Sequence, residues 1–353
     1  MKYILKVCPI KELGGRKNQE DSTYPPIEDI KDSDRTFVLC DGMGGHDAGE
    51  VASDTVCTAM GNSILNDGHD AEGVFTDDDL KKALDDAFAA LDLKDNHAEK
   101  KMGTTMTFLK LHNEGATIAH MGDSRVYHIR PGKDNESTEI LHETRDHSLV
   151  NDLIKANVLT KEEARLSKQK NVITRAMQPN MEYRPKVDVY HTSDIKAGDY
   201  FYMCSDGMLE QEQMESGESI RNIFSDKIAT IDEKKRILEE ATADNKDNHT
   251  ALIIRVEEVI DDVLKSEEGI PTQTPTAIMA AVDDEENTLS PAPDDNTENI
   301  ETPNEAKPKQ GKKEKSNKAL LKIGIVVSVI IAVIISVYLV FRYYHFLSSI
   351  HIS

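Results

Sequence analysis

The chain has 353 residues and a formal net charge of −22, which argues against nucleic acid as a partner because most of this surface would repel a phosphate backbone. Its four cysteines, Cys8, Cys40, Cys57 and Cys204, lack paired spacing, so they point to buried thiols in a reducing cytoplasm rather than to disulfides or a zinc site. The charge is uneven: residues 257–310 hold fifteen acids against three lysines, a net of −12, while roughly the first 250 residues have ordinary globular composition.

Residues Met1–Val7 are too short in their apolar part for a secretory signal and read as a first strand. Gly14-Gly15-Arg16 forms a turn exposing the arginine, followed by the acidic pair of Asn18-Gln19-Glu20-Asp21 and a polar loop from Pro25 to Asp34. Thr36-Phe37-Val38-Leu39 is a buried strand that runs into Cys40-Asp41-Gly42-Met43-Gly44-Gly45-His46, a carboxylate on a glycine-rich turn with little bulk to keep an ion or a phosphate away. Helical spacing of Val51, Ala52, Val56, Ala59 and Met60 predicts a helix over 49–65, and a second over 79–93 with Asp77 or Asp78 as cap. The segments 104–111, 116–121 and 125–130 predict an antiparallel meander with Asp123 at its tip. Residues 146–177 read as helix and turn, with Thr160-Lys161-Glu162-Glu163 as a capping box and His147 in a structural role. Tyr200–Cys204 is a buried strand delivering Asp206; a helix follows over 232–243, and 250–256 closes the sheet. Strands interleaved with helices without regular βαβ alternation define an α+β class.

Beyond Val256 the sequence is rich in Pro, Thr, Asn, Asp and Glu, which cannot bury enough apolar area to offset chain entropy. The expected organisation is a globular domain at 1–256, a disordered acidic linker at 257–310, and a basic juxtamembrane segment at 311–322. Residues 323–341 carry no charge, and at about 1.5 Å per residue these nineteen residues suffice for one transmembrane helix. Lys312, Lys313, Lys315, Lys318 and Lys322 on its N-terminal flank favour a cytoplasmic globular domain and a short extracytoplasmic tail at 342–353. A single-pass protein of the cell membrane is expected.

Scattered aspartates at loop ends, Asp21, Asp41, Asp206 and Asp247, supply the oxygen ligands that hard divalent cations take, and no His-x-x-x-His spacing points to zinc. Arg16 with Glu20-Asp21, Asp41 to His46, Met102-Gly103-Thr104-Thr105, Gly122-Asp123-Ser124-Arg125, Ser205-Asp206-Gly207 and Asp247-Asn248 occur in the order and spacing of one family. Over residues 1–256 the chain resembles the bacterial branch of the metal-dependent Ser/Thr phosphatases of type 2C.

The resemblance implies two stacked antiparallel β-sheets flanked by α-helices, and two Mn²⁺ or Mg²⁺ ions. It implies that Asp41 bridges the ions with the Gly42 carbonyl beside it, that Asp206 and Asp247 complete the first ion's shell, and that Asp21 serves nearby through water. Asp123 matches the position of a weaker third ion; as a residue in a turn it reads equally as an acceptor of backbone hydrogen bonds. Arg16 matches the arginine that grips the substrate phosphate, and 146–177 a flap beside the active site whose exit is 171–176. The implied chemistry is hydrolysis of phosphoserine and phosphothreonine by a metal-activated water, on cytoplasmic phosphoproteins, by a monomeric catalytic domain opposing a Ser/Thr kinase. A phosphatase dedicated to a partner-switching regulator, and an inactive phosphoprotein-binding relative, are the alternatives. Met43 departs from the histidine that many eukaryotic members have as leaving-group acid, which leaves a metal-bound water or His46 for that task.

Overall fold

The longest apolar runs become strands buried on both faces, and alternation decides which layer each side chain joins. In β1 (Lys2–Glu12), Tyr3, Leu5 and Val7 face one way and Cys8 and Ile10 the other. The computed structural model describes residues 1–260 except 45–47, 67–72, 96–100, 133–136, 212–213, 215–216 and 229, all within the compact unit Met1–Thr274. The predicted linker beyond residue 260, basic segment, membrane span and tail therefore lie outside the described residues, among which no helix is long and apolar enough to cross a membrane.

After β1 come β2 (Asp21–Tyr24), β3 (Thr36–Met43), α1 (Ala48–Asn66) and α2 (Asp77–Asp92). Next are β4 (Gly103–Thr104), β5 (Met106–His112), β6 (Gly115–Met121), β7 (Arg125–Arg130), β8 (Glu139–Glu143), α3 (Leu149–Lys155) and α4 (Lys161–Arg165). The chain continues through β9 (Asp188–Thr192), β10 (Tyr200–Cys204), α5 (Gly217–Ile223), α6 (Ile231–Thr242) and β11 (His249–Ile260). Two antiparallel sheets result, one in the order β1-β11-β10-β7-β8, the other β2-β3-β5-β6-β9 with β4 paired to β3.

Between the sheets, Leu5, Val7, Phe201, Met203, Leu252 and Ile254 of one meet Phe37, Leu39, Leu109 and Ile118 of the other. Outside, α1 and α2 cover Val38, Cys40, Phe108 and Ala119, while α5 and α6 cover Ile10, Tyr200, Tyr202 and Ile253. This is the four-layer arrangement expected, helix on sheet on sheet on helix.

Three local expectations change. The segments 104–130 are not one meander: β5 and β6 pair in one sheet, but β7 pairs with β10 in the other. Alternation alone cannot distinguish a hairpin turn from a corner between sheets, and Gly122, at φ +113°, makes that corner. Helix α2 is capped by Thr76 rather than Asp77 or Asp78, because Asp79 returns its carboxylate to the Thr76 N–H in a reciprocal box. The closing strand continues past Val256 to Ile260; Glu257 is the extra residue of a bulge between the Leu5–Val256 and Ile4–Glu258 pairs, which breaks the alternation there.

Candidate active site

At one end of the inter-sheet layer, positions that carry large apolar side chains elsewhere become polar. The inward row Phe37, Leu39 of β3 ends in Asp41; Phe201, Met203 of β10 is followed by Ser205; Leu109 of β5 is preceded along its row by Thr107 and Thr105. These groups bind one another across the sheets. Thr105 Oγ1 and Ser124 Oγ lie 2.8 Å apart, and Ser205 Oγ donates to Asp21 Oδ2 at 2.9 Å.

Asp21 stands opposite Asp41 in the β2–β3 register. The Asp41 backbone is pinned on both sides: its N–H donates to Thr105 Oγ1, and its carbonyl accepts from the Thr105 N–H at 2.8 Å and from Thr104 Oγ1 at 2.9 Å. Gly42 follows with its N–H on the Glu20 carbonyl. A Cβ on Gly42 would sit 2.1 Å from the Gly49 carbonyl oxygen and 2.7 Å from that of Glu20, so only glycine lets α1 and β2 close on this turn. Gly42→Ala is expected to cost about 1–3 kcal/mol of stability and to weaken Mn²⁺ binding, as urea unfolding and calorimetric titration would measure.

The other predicted residues arrive from separate elements. Asp123 lies at the sheet-to-sheet corner, and Asp206 opens a 3-10 turn over Asp206–Leu209. Asp247 precedes β11, its Oδ1 accepting from the Asn248 N–H and its Oδ2 from the Arg16 guanidinium. Asn248 fastens this corner, accepting from the Glu20 N–H at 2.8 Å and donating to the Leu13 carbonyl at 2.9 Å. Arg16, Asp123, Asp206 and Asp247 line a single cleft of about 1070 Å³.

Burial and mutual repulsion hold these carboxyls above the ordinary range. Asp21 is pushed up to about 7, chiefly by burial and then by the charges of Asp206 and Asp247, with Ser205 opposing. Asp123 is pushed up to about 8 by burial and by Asp206 and Asp146. Asp41 is raised by burial and by Asp21, Asp206 and Asp123; Asp206 is raised by burial, with Asp247 and Asp146 adding to it. Oδ1 of Asp21 and Oδ1 of Asp123 are buried without hydrogen-bond partners. Buried acceptors and crowded carboxylates are costly unless cations sit among them, and an all-oxygen donor set suits Mg²⁺ or Mn²⁺.

Two site residues escaped the sequence reading. Asp146, read only as the start of a helical segment, lies in the cleft, where Arg125 holds it through two 2.7 Å hydrogen bonds. Glu210, four residues after Asp206 and outside every motif, accepts from the Lys246 N–H at 2.7 Å and the Asp247 N–H at 3.2 Å, and so shapes the Asp247 turn. Neither carries a signal in spacing, because each is defined by a partner distant in sequence. His46, the alternative leaving-group acid, lies outside the described residues.

One cluster has no counterpart in sequence spacing: ligand atoms of His120, His147 and Asp188 lie within 4.8 Å of one another. The hydrogen bonds of His147 oppose metal binding there. His147 Nδ1 accepts from the Gly122 N–H at 3.1 Å, and its Nε2 is enclosed by the Arg175 guanidinium at 3.1 Å and Asp188 Oδ2 at 3.2 Å. A histidine ligand instead donates its second nitrogen outward. His147 is structural, as expected: its backbone N–H donates to the Gly122 carbonyl and its carbonyl accepts from the Thr174 N–H, joining the Asp123 corner to the end of the 146–177 segment.

An acidic, metal-suited cluster with an arginine at the mouth of a cleft, on a four-layer sandwich, defines a metal-dependent hydrolase of anionic substrates. The chain belongs to the protein phosphatase 2C family, whose model matches residues 16–244. It is 34% identical over 232 residues to the protein phosphatase PhpP of Streptococcus pneumoniae, covering 63% of this chain and 86% of that one. The crystal structure of the Mycobacterium tuberculosis serine/threonine phosphatase PstP/Ppp superposes with a TM-score of 0.57 at 28% identity, over 72% of this chain and 99% of that one. The PstP catalytic domain in complex with two manganese ions matches with a TM-score of 0.56 at 28% identity, over 73% of this chain and all of that one.

Proposed function

We propose that this chain removes phosphate from phosphoserine and phosphothreonine in cytoplasmic proteins, opposing a Ser/Thr kinase, with two Mn²⁺ or Mg²⁺ ions as cofactors. The observation that carries the reading is the pairing of Asp21 and Asp41 across β2 and β3, with Asp123 and Asp206 pressing on Asp41 from other elements and two buried carboxylate oxygens unpartnered. Asp41 and the Gly42 carbonyl would hold both ions, Asp206 and Asp247 would complete the shell of one, and Asp21 would act beside them. Bound there, the ions supply charge neutralisation and a water of lowered pKa. Asp123, at the corner and facing Asp206 and Asp146, is the position for a third ion.

The residues of the chain do the rest. Arg16 exchanges the Asp247 carboxylate for the substrate phosphate, to which a planar guanidinium donates two parallel hydrogen bonds. Thr104, Thr105 and Asn248 keep the strand ends in register, so the carboxylates do not reorganise during turnover. Hydrolysis of p-nitrophenyl phosphate should require added Mn²⁺ or Mg²⁺ and stop with chelator; turnover that resists chelation would refute the metal reading.

Residues 323–341 are proposed to anchor a monomeric catalytic domain to the cytoplasmic face of the cell membrane, supported by their uncharged nineteen-residue run and the lysines before it. A chain truncated after Ile260 is expected in the soluble fraction, monomeric and with undiminished activity on a small ester, while the full chain sediments with membranes. Ending at Val256 instead would remove the Lys2–Ile260, Tyr3–Val259 and Ile4–Glu258 pairs and lower the melting temperature.

A further inference from the structure

Besides the acidic cluster, a second set of residues lines the cleft. This wall comes from α3, α4 and the loop after them, and the charged residues that this segment places on it are Lys155, Lys161 and Lys170. All three are exposed, and none forms an ion pair among the described residues. The acids of the same segment, Asp152, Glu162 and Glu163, do not line the cleft, and Glu163 is committed to capping Thr160.

Helix geometry accounts for this separation. Asn151, Ile154 and Lys155 share one face of α3, as residues three and four apart do, which leaves Asp152 on another face. In α4, Lys161 and Ala164 share the cleft face, and Glu162 and Glu163 fall off it. A wall bearing three unpaired lysines, in a chain of net charge −22, favours an anionic occupant. The cleft volume of about 1070 Å³ exceeds what a phosphate ester alone would fill.

We propose that Lys155, Lys161 and Lys170 select phosphorylated segments that carry acidic side chains a few residues from the phosphorylated one. This rests on the phosphatase reading and adds a substrate class to it. With the phosphorylated residue held at Arg16 and the aspartates, an extended peptide advances about 3.3 Å per residue, and its neighbouring side chains occupy the same cleft that the three lysines line. Exposed pairs of this kind each contribute modestly, and three together are expected to give a preference of roughly tenfold.

The test compares phosphothreonine peptides that differ only in Glu or Gln at positions two to four, on either side, using the full chain with Mn²⁺ at low salt. The expected result is a kcat/KM roughly ten times higher for the Glu series on one side, carried mainly by KM, with the ratio shrinking toward one at about 0.5 M salt. In the combined variant Lys155→Gln, Lys161→Gln, Lys170→Gln the Glu-to-Gln ratio should fall to near one. Because the ratio is taken within one variant, a change in folding or overall turnover cancels. Lys168→Gln, in the same segment but off the cleft, should keep the wild-type ratio. A wild-type ratio near one at low salt, a ratio that survives the triple substitution, or an equal loss in Lys168→Gln overturns the proposal. Absence of any Mn²⁺-dependent turnover, on peptides and p-nitrophenyl phosphate alike, would instead remove the phosphatase reading beneath it.

Discussion

Asp206→Asn is expected to lower kcat by roughly a hundredfold or more at saturating Mn²⁺, about 2.7 kcal/mol or more of transition-state stabilisation, while the chain still folds. The amide keeps the shape of the side chain and removes a full negative charge from the cluster where Asp41, Asp123 and Asp206 already press on one another. Metal affinity should fall with kcat. Folding should suffer little and can improve without metal, since one of the repelling groups is gone. Glu210→Gln is not a neutral control, because Glu210 accepts both the Lys246 and the Asp247 N–H and its loss should perturb Asp247. Glu218→Gln, exposed on α5 and outside the cleft, is the suitable one and should match wild type. Near-normal kcat in Asp206→Asn at saturating Mn²⁺, or unfolding of that variant alone, would return Asp206 to a structural role.

Without metal, the protein should melt at a temperature that falls as pH rises from about 5 to about 8, and Mn²⁺ should reverse this dependence. Asp21 and Asp123 hold their protons in the folded chain up to about 7 and about 8, but release them near 4 when unfolded. Between those limits the folded state binds more protons, so it gains on acidification, and the contribution is lost as pH rises through the folded values. Protonating one carboxyl relieves the others, so the contributions do not add; a total on the order of 3 kcal/mol, or roughly 5–10 °C in Tm, is expected. Saturating Mn²⁺ pairs with the ionised forms, and its stabilisation should therefore be larger at pH 8 than at pH 6. Melting in chelator and in Mn²⁺ at those two values checks the fit of the site to cations without any activity measurement. Equal Mn²⁺ shifts at both would mean that the carboxyls do not meet the ions.

Much of the frame was legible because burial imposes a period. Phe37 to Cys40 and Tyr200 to Cys204 read as apolar runs since both faces of their strands are covered, and α1 and α6 were placed to within a residue or two by spacing alone. The edges were not. β8 and β9 have polar, half-exposed sequences, Glu139–Glu143 and Asp188–Thr192, whose strand state comes from pairing with β7 and β6 rather than from their own composition. Helix α5 was missed because only Ile220 and Ile223 of it are buried, too few to show a period.

By itself the sequence determined the helix-and-strand alternation and the glycine-rich turn at Asp41, which depend on residue type and local spacing, and through the family resemblance it nominated Arg16, Asp21, Asp41, Gly42, Asp123, Asp206 and Asp247 as site residues. Tertiary structure alone decided which sheet β7 joins, that Asp146 and Glu210 belong to the site, that His120, His147 and Asp188 meet, and that three lysines share one wall of the cleft. Most of those are relations between residues distant in sequence, and the free energy that fixes them comes from burying apolar rows between and outside two sheets, a sum over the whole chain that no local window contains.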